Sequence, residues 1–448
     1  MRHYFLTAAC CLAVLPAFLG LSSRAAALGL SEIIDLAGKR DAQVRADTLV
    51  AEARDAEAWQ SVAGYGPSLT ASGSTMRSRD SLKPEASAGL DERLAKFNEM
   101  ALAIGFEQPL IDLEKGSKAL QGLAEMDIAL LLEKKAKEDL LLKVHERYYG
   151  VLSARESFKL ARAETAALQK QVQNAVQKLE LGFATITSQY EAEARYRTAS
   201  ATEIARKSDL SNALKALEEL IDQEIVEELD DLDPQMTLPA IPNDLAAWLR
   251  VAAAANTDLK LKQLQVETAR FEFRAAQSRF LPSLVFFADY SERHPTDGLA
   301  GYGEERNEMD VGLRLEGKLL AGGRDSAAFI AADKKVRAAE ERTTVADRAM
   351  RRSVRSLWES IANTRQLASA YQQAVAVSEK ALESTQAAYD EGAKVLLDVL
   401  NAEQDHYRSM RQYRTSRYDY MILLEKFRQV VGVDSIWLQS SVKNGEEI

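Results

Sequence analysis

Two long stretches of this sequence contain no proline, and they constrain the fold more than any other feature. The first runs from residue 110 to residue 233, and the second begins after Pro295. Helix interiors exclude proline because it lacks a backbone donor and clashes with the preceding turn. The distribution therefore predicts very long helices, which an ordinary multidomain enzyme would not contain.

Composition narrows the class of protein further. Of the 448 residues, 46% are hydrophobic and 28% are charged, and the formal net charge is −10. These values exclude a disordered chain, a collagen-like fibre and a disulfide scaffold. The acidic balance argues against nucleic acid as the main partner, because binding to phosphates needs a basic surface.

The N-terminus predicts export. Arg2 and His3 precede an apolar run from Tyr4 to Leu21, and Ala25-Ala26-Ala27 follows as a small-residue cleavage site. We interpret residues 1–27 as a secretory signal peptide; the alternative is an N-terminal membrane anchor. The two cysteines, at positions 10 and 11, lie in this segment, so the mature chain would have none. No other run approaches the roughly 18 apolar residues that a membrane-spanning helix needs.

The mature chain repeats itself. Tyr65-Gly66-Pro67-Ser68-Leu69 corresponds to Phe280-Leu281-Pro282-Ser283-Leu284, and the glycine segment at 182–187 corresponds to that at 392–397. The first pair is offset by 215 positions and the second by 210. We predict a first structural repeat over 28–233, a linker over 234–242, a second repeat over 243–432 and a C-terminal tail over 433–448.

Each repeat contains two segments in which apolar residues alternate with polar or small ones. The predicted strands cover about 68–76, 99–108, 283–291 and 308–317. In the last strand, Met309, Val311, Leu313 and Leu315 alternate with polar or small residues. Such alternation over about ten residues is typical of an outer-membrane strand, although a half-buried hairpin of a soluble protein shows it too.

Four strands cannot close a barrel, and lipid does not tolerate an exposed sheet edge. If these strands span a membrane, several chains must therefore share one barrel. Three chains would supply twelve strands, an even number within the usual range.

The longest predicted helix lies between Gly323 and Glu391, a stretch without internal glycine or proline. A helix of that length would reach about 100 Å. One narrow seam, rich in small residues, follows 3-4 spacing for five heptads and suits close helix pairing. Its members are Val354, Leu357, Ile361, Thr364, Ala368, Tyr371, Val375, Ser378, Leu382, Thr385 and Tyr389.

The first repeat has a matching tract, and a shorter helix returns after each glycine turn. The matching tract runs from Leu113 to Leu181, and the returning helices are predicted over Thr187–Leu229 and Val395–Val431. The result would be two long antiparallel helical hairpins. A structural rod explains the heptads equally well, but it does not explain the strand pairs at matching points.

The segment from Tyr389 to Glu403 carries the most specific motif. It reads Y-x-x-G-x-x-x-x-x-D-V-L-x-A, and a Tyr- and Arg-rich last helix follows. With the strand entries and Leu319-Leu320-Ala321-Gly322-Gly323, it resembles the TolC family of outer-membrane efflux proteins. The resemblance implies a mainly α fold with a small β part: long helical hairpins forming a coiled-coil tunnel, plus four transmembrane strands per protomer.

The resemblance also implies a function and partners. Three identical protomers would form a twelve-stranded barrel in the outer membrane of a Gram-negative bacterium, continuous with a twelve-helix tunnel in the periplasm. The homotrimer would contact outer-membrane lipid, a periplasmic adaptor (membrane fusion) protein and an inner-membrane ABC or proton-driven exporter. It would passively conduct small molecules or secreted polypeptides, as in efflux or type I secretion. The alternative is a soluble periplasmic coiled-coil structural or adaptor protein without a barrel.

The same resemblance places a gate at the periplasmic helix turns. Tyr389 and Thr187 match positions used in constriction contacts, and Asp398 matches an acidic residue that faces the lumen. Lys394 stands where the best-known pattern has arginine, so a bidentate contact would be lost there. Ser188 replaces an aspartate, and Asn401 occupies the place of a possible second aspartate. The trimer would then carry one ring of three carboxylates, and the duct should favour cations.

Each of these positions also has a structural interpretation. Asp398 lies in the first turn of a helix, where the helix dipole favours a carboxylate regardless of function. Gly182 and Gly392 have the character of ordinary helix-turn glycines. Tyr389 continues the heptad seam and could simply pack there.

The sequence shows no convergent enzymatic site. The three histidines outside the predicted signal peptide, His145, His294 and His406, are far apart. His145-Glu146 lacks the second histidine of a zinc motif, and no phosphate-binding loop is present. We therefore expect no catalysis, no metal and no cofactor, and we expect a partner to supply the energy for transport.

Overall fold

The computed structural model describes residues 28–82, 93–226, 228–234, 236–296, 305–318 and 321–433. The predicted signal peptide and all but the first residue of the predicted tail lie outside this part. The chain forms eight helices and four strands within it. The helices are α1 Leu30–Arg40, α2 Ala42–Ala63, α3 Leu113–Glu180, α4 Ile186–Ile221, α5 Leu245–Ala255, α6 Thr257–Ser278, α7 Arg324–Asp390 and α8 Leu396–Val431. The strands are β1 Ser68–Leu82, β2 Arg93–Ile111, β3 Ser283–Thr296 and β4 Arg306–Glu316.

The predicted mainly α fold with a small β part is confirmed. Helices α3 and α7 contain 68 and 67 residues, and each runs into a turn from which α4 or α8 returns antiparallel to it. Helix α4 ends at Ile221 and not near Leu229 as expected. Its C-cap, Asp222, has φ 48° and so adopts the left-handed conformation that ends a helix.

All four strands form one antiparallel sheet in the order β1-β2-β3-β4. Ser68 pairs with Glu107, Phe106 with Ala288, and Asp289 with Asp310, so the β2–β3 pairing joins the two repeats. β1, β2 and β3 extend beyond the ranges that alternation indicated. β1 and β4 are the two edges of the sheet.

The apolar residues of the alternating pattern lie on an exposed face of the sheet. In β4, Met309 is 75% exposed and Leu315 is 70% exposed. Arg314 lies on the opposite face, 3.1 Å from Glu107 and 4.4 Å from the ring centre of Phe287. A half-buried hairpin of a soluble protein would bury its apolar face, so this arrangement argues against that alternative.

Each repeat begins with two consecutive helices, α1 and α2 in the first and α5 and α6 in the second. The breaks occur at Asp41 and Asn256, which lie 215 positions apart. Each side chain accepts a hydrogen bond of 2.8 Å from the backbone N–H of the third residue of the new helix, at Val44 and Leu259. Asp and Asn are strong N-cap residues, and this signal was present in the sequence.

Two apolar clusters fix the helices near the breaks. The first joins α1, α3 and α4 around Ile33, Leu152 and Leu217. The second joins α5, α7 and α8 around Val354 and Phe427. All eleven positions of the predicted α7 seam are buried or half-buried, in keeping with its packing against α8. None of the helices in the described part is both long and apolar enough to cross a membrane.

Candidate functional site

The two helix turns that end the long hairpins have the same backbone conformation. Gly182 and Gly392 both have φ of 80°, a left-handed value that side chains rarely adopt. The N–H of Gly182 donates to the carbonyl of Leu179 and that of Phe183 to the carbonyl of Lys178. The second turn repeats this pair of bonds, which is the Schellman motif. The hairpin geometry therefore depends on glycine at both positions.

The helices that return from the turns are capped differently. In α8, the Asp398 carboxylate accepts from the backbone N–H of Val395 at 3.3 Å, and the side chain is half-buried. In α4, the Thr185 hydroxyl accepts from the N–H of Ser188 at 3.2 Å and lies 3.0 Å from the Ser188 hydroxyl. Ser188 is therefore engaged in its own helix cap, and Asp398 has a capping role whatever else it does.

Lys178 connects the two hairpins beside the turns. Its Nζ lies 4.1 Å from the ring centre of Tyr389 and 3.9 Å from an Asp390 carboxylate oxygen. Tyr389 also packs against a buried cluster that contains Leu168 and Leu396. The predicted constriction residue thus contacts the other hairpin through a cation–π interaction and through apolar packing.

Arg195 makes a second connection between the hairpins. One nitrogen of its guanidinium donates to Gln404 Oε1 at 2.8 Å, and another donates to Asn401 Oδ1 at 3.0 Å. Because the planar guanidinium reaches both acceptors at once, this contact fixes the orientation of α4 relative to α8. Asn401, predicted from the motif, is thereby engaged; Arg195 was not predicted, since helix packing and not a motif brings it there.

A buried carboxyl group lies further along α8. Glu403 Oε1 accepts from Gln171 Nε2 at 3.1 Å, while Oε2 has no hydrogen-bond partner in the described part of the chain. Burial, with a smaller contribution from the charge of Glu164, raises the pKa of Glu403. Burial also raises the pKa of Glu164, although Arg411 lies 3.3 Å away. This cluster links α3 and α8 and was not predicted.

Thr187 and Lys394, the remaining predicted gate residues, are exposed at the first and second turn. Within the described ranges Lys394 forms no ion pair. The described residues also contain no group of three or more His, Cys, Asp or Glu side chains that could hold a metal ion. The site consists of two glycine turns and the contacts that join two hairpins.

Comparison with known proteins decides the family. The family model described as outer membrane efflux protein matches residues 33–222 and 248–433. The chain belongs to the outer membrane efflux protein family. The two matched segments together cover most of the chain.

This efflux protein is similar to proteins of two kinds. It is 29% identical over 298 residues to outer membrane protein TolC of Vibrio cholerae, covering 66% of this chain and 68% of that one. It is 28% identical over 421 residues to the alkaline protease secretion protein AprF of Pseudomonas aeruginosa, covering 92% and 86%. The solved structure of VceC from Vibrio cholerae superposes on 90% of this chain and on 96% of the VceC chain, with a TM-score of 0.76. Because the two sequences are only 17% identical, this similarity shows the fold alone.

Family membership confirms three predictions for this efflux protein. They are the resemblance itself, the location in the outer membrane and the role of an outer-membrane exit duct. The alternative of a soluble periplasmic coiled-coil protein is not supported. The family is a channel family, and the expected lack of catalysis remains a prediction.

Proposed function

We propose that this efflux protein is a homotrimeric duct whose periplasmic entrance lies at the glycine turns. The exposed apolar face of the sheet carries the proposal, since Met309 and Leu315 are stable in that position only against lipid or another apolar surface. β1 and β4 leave two open edges, and lipid forbids such edges. Pairing β4 of one protomer with β1 of the next would remove all of them in a closed ring.

The proposed gate consists of contacts between the hairpins. In each protomer, the Lys178–Tyr389 contact and the Arg195–Asn401 contact hold α3 and α4 against α7 and α8 at the turn end. Opening would require these contacts to break as one hairpin moves away from the other. Asp398 would form an acidic ring at the entrance that favours cations.

We infer that the cargo is a polypeptide exported by a type I secretion system. Similarity to AprF, a protease secretion protein, extends over 92% of this chain, whereas similarity to Vibrio cholerae TolC extends over 66%. The sequence has no phosphate-binding loop, so an inner-membrane exporter would supply the energy. A periplasmic adaptor would join that exporter to the helix turns.

The experiment combines mass measurement and conductance of the purified protein. Light scattering in detergent should give the mass of three protomers, and planar bilayers should show discrete cation-selective channels. Asp398→Ala should reduce cation selectivity, while Glu219→Ala, at an exposed position near the end of α4 that is far from the turns, should not. A monomer in detergent, or equal selectivity in Asp398→Ala and the wild type, would contradict the proposal.

Cargo class is tested separately. A strain that lacks this protein should fail to release a protease-type polypeptide into the medium and should recover release when the gene is restored. Unchanged release, together with increased sensitivity to small toxic compounds, would instead assign the duct to small-molecule efflux.

A further inference from the structure

A network of polar side chains connects the buried Glu403 to the proposed gate. Gln171 of α3 donates through one amide nitrogen to Glu403 Oε1 of α8 at 3.1 Å and to Gln386 Oε1 of α7 at 3.5 Å. Gln386 in turn donates to both oxygens of the Asp390 carboxylate at 3.2 Å. Asp390 lies 3.9 Å from Lys178, which forms one of the two proposed gate contacts. Three helices of the two hairpins therefore meet in this network.

The network crosses the interface that opening would separate. Glu403 and Gln171 are each 8% exposed, so their contact lies inside the packing of α8 against α3. Glu403 is two residues after Asn401 and one before Gln404, and both of these accept hydrogen bonds from Arg195. A movement that breaks the Arg195 contact therefore also separates Glu403 from Gln171 and gives water access to the Glu403 carboxyl group.

The Glu403 carboxyl group lacks the partners that a buried charge needs. Its Oε1 accepts from Gln171, while Oε2 has no hydrogen-bond partner among the described residues. Nor does any lysine, arginine or histidine of the described ranges form an ion pair with it. A buried carboxylate oxygen without a donor loses its hydration without compensation, and this costs more than burying the neutral carboxyl group. The closed arrangement therefore favours the protonated form.

The surrounding charges act in the same direction. The titratable and charged groups near Glu403 are Glu164 of α3, Tyr407, Arg408 and Arg411 of α8, and Arg195 of α4, and α7 contributes the neutral amide of Gln386. Burial, with a smaller contribution from Glu164, raises the pKa of Glu403, and the hydrogen bond from Gln171 offsets part of this rise. His406, one turn further along α8, contacts Ser378 of α7 at 3.2 Å instead.

We propose that the Gln171–Glu403 contact is a proton-dependent latch of the gate. While the Glu403 carboxyl group carries a proton, the latch holds α3 against α8. Opening exposes this group to water, and the proton passes to the solvent. The proposal rests on the gate proposed above and adds a regulation to it, because the closed state becomes more stable as the pH around the turns falls.

The sign and size of the effect follow from the two states of Glu403. Its pKa is raised in the closed state, whereas in the open, hydrated state it should have the ordinary value of about 4.3. Between these two values the closed state binds more protons, so the open-to-closed ratio rises with pH by up to about tenfold per pH unit for each protomer. Outside this window both states carry the same charge at Glu403, and its contribution does not change with pH.

Single-channel recordings in planar bilayers from about pH 4 to about pH 8 test the latch. The open probability of the wild type should rise with pH. Glu403→Gln keeps an acceptor for Gln171 and stays neutral, so its open probability should be lower than that of the wild type at the upper end and should not rise in the same way. The matched control, Glu219→Gln, removes an exposed carboxylate near the end of α4 and should follow the wild type.

The outcomes separate the latch from the duct itself. A trimer that forms cation-selective channels, but whose pH dependence is the same in Glu403→Gln and in the wild type, would overturn the latch and leave the duct intact. An open probability that falls as the pH rises in the wild type alone would also overturn it. A folded protein without discrete channels would overturn both.

Infrared titration gives a second readout that does not depend on conductance. The carbonyl band of a protonated carboxyl group should persist to higher pH in the wild type than in Glu403→Gln, with a midpoint for the difference above about 4.3. A difference band that disappears at or below the ordinary glutamate pKa would show that Glu403 is ionised in the closed state and would overturn the latch.

Discussion

Removing the Arg195 side chain should open the proposed gate. Arg195 is half-buried in α4 and donates to Gln404 at 2.8 Å and to Asn401 at 3.0 Å, both in α8. In a buried setting, a hydrogen bond to a charged group contributes about 1.5–3 kcal/mol. Because Asn401 is exposed, solvent screening reduces the contribution of the two hydrogen bonds together to about 2 kcal/mol.

If the contact is formed only in the closed state, its loss changes the closed-to-open ratio by about 30-fold per protomer. Single-channel recordings of Arg195→Ala in planar bilayers should therefore show a much higher open probability than the wild type. Arg195→Lys keeps the charge but cannot reach both acceptors in one plane, so it should give an intermediate value.

Arg197→Ala is the matched control. Arg197 lies on the same helix in an exposed position, and its contacts are local: it pairs with Glu193, four residues away at 3.3 Å, and lies 5.7 Å from the ring centre of Tyr196. Its removal should leave the open probability unchanged. If Arg195→Ala folds as a trimer and opens no more often than Arg197→Ala, the contact does not hold the entrance closed.

Two further predictions concern stability. Gly392→Ala should lower the melting temperature, because alanine at φ 80° costs about 1 kcal/mol. Gly150→Ala lies inside helix α3 with open space around it, so it should raise the melting temperature by a similar number of degrees. The same change in melting temperature for both variants would contradict the argument that the turn requires glycine. Glu403→Gln should stabilise the protein at pH 7 and not at pH 4. The pKa of Glu403 is raised in the folded state, so the folded protein loses stability as the pH rises from the unfolded pKa of about 4.3 through the folded pKa. The glutamine removes that loss, which is present at pH 7 and absent at pH 4. A melting-temperature difference that does not change between pH 4 and pH 7 would refute this sign.

The sequence predicted the architecture because its strongest signals are local. Missing prolines predicted α3 and α7, and the 3-4 spacing through Ile361 and Ala368 identified the face of α7 that packs on α8. Alternation at Met309 and Leu315 predicted β4, since a period of two is independent of what the strand pairs with.

Features that depend on packing between distant segments could not be predicted in the same way. The Arg195–Asn401 and Gln171–Glu403 contacts join residues more than 200 positions apart, and no motif connects them. Motif matching placed Ser188 in the gate, but its hydroxyl and backbone are engaged in the cap formed by Thr185. A local cap of this kind was visible in the sequence, and so were the N-cap signals at Asp41 and Asn256.

Thiol block of a single cysteine at the entrance tests the central claim most directly. Asp398→Cys would be the only cysteine of the mature chain, at the first turn of α8. If the glycine turns surround the entrance of a trimeric duct, a bulky thiol reagent added to the turn side of a planar bilayer should reduce the conductance in steps. The Glu219→Cys control, at an exposed position near the end of α4 that is far from the turns, should leave the conductance unchanged. Full labelling at position 398 without any change in conductance would contradict the account.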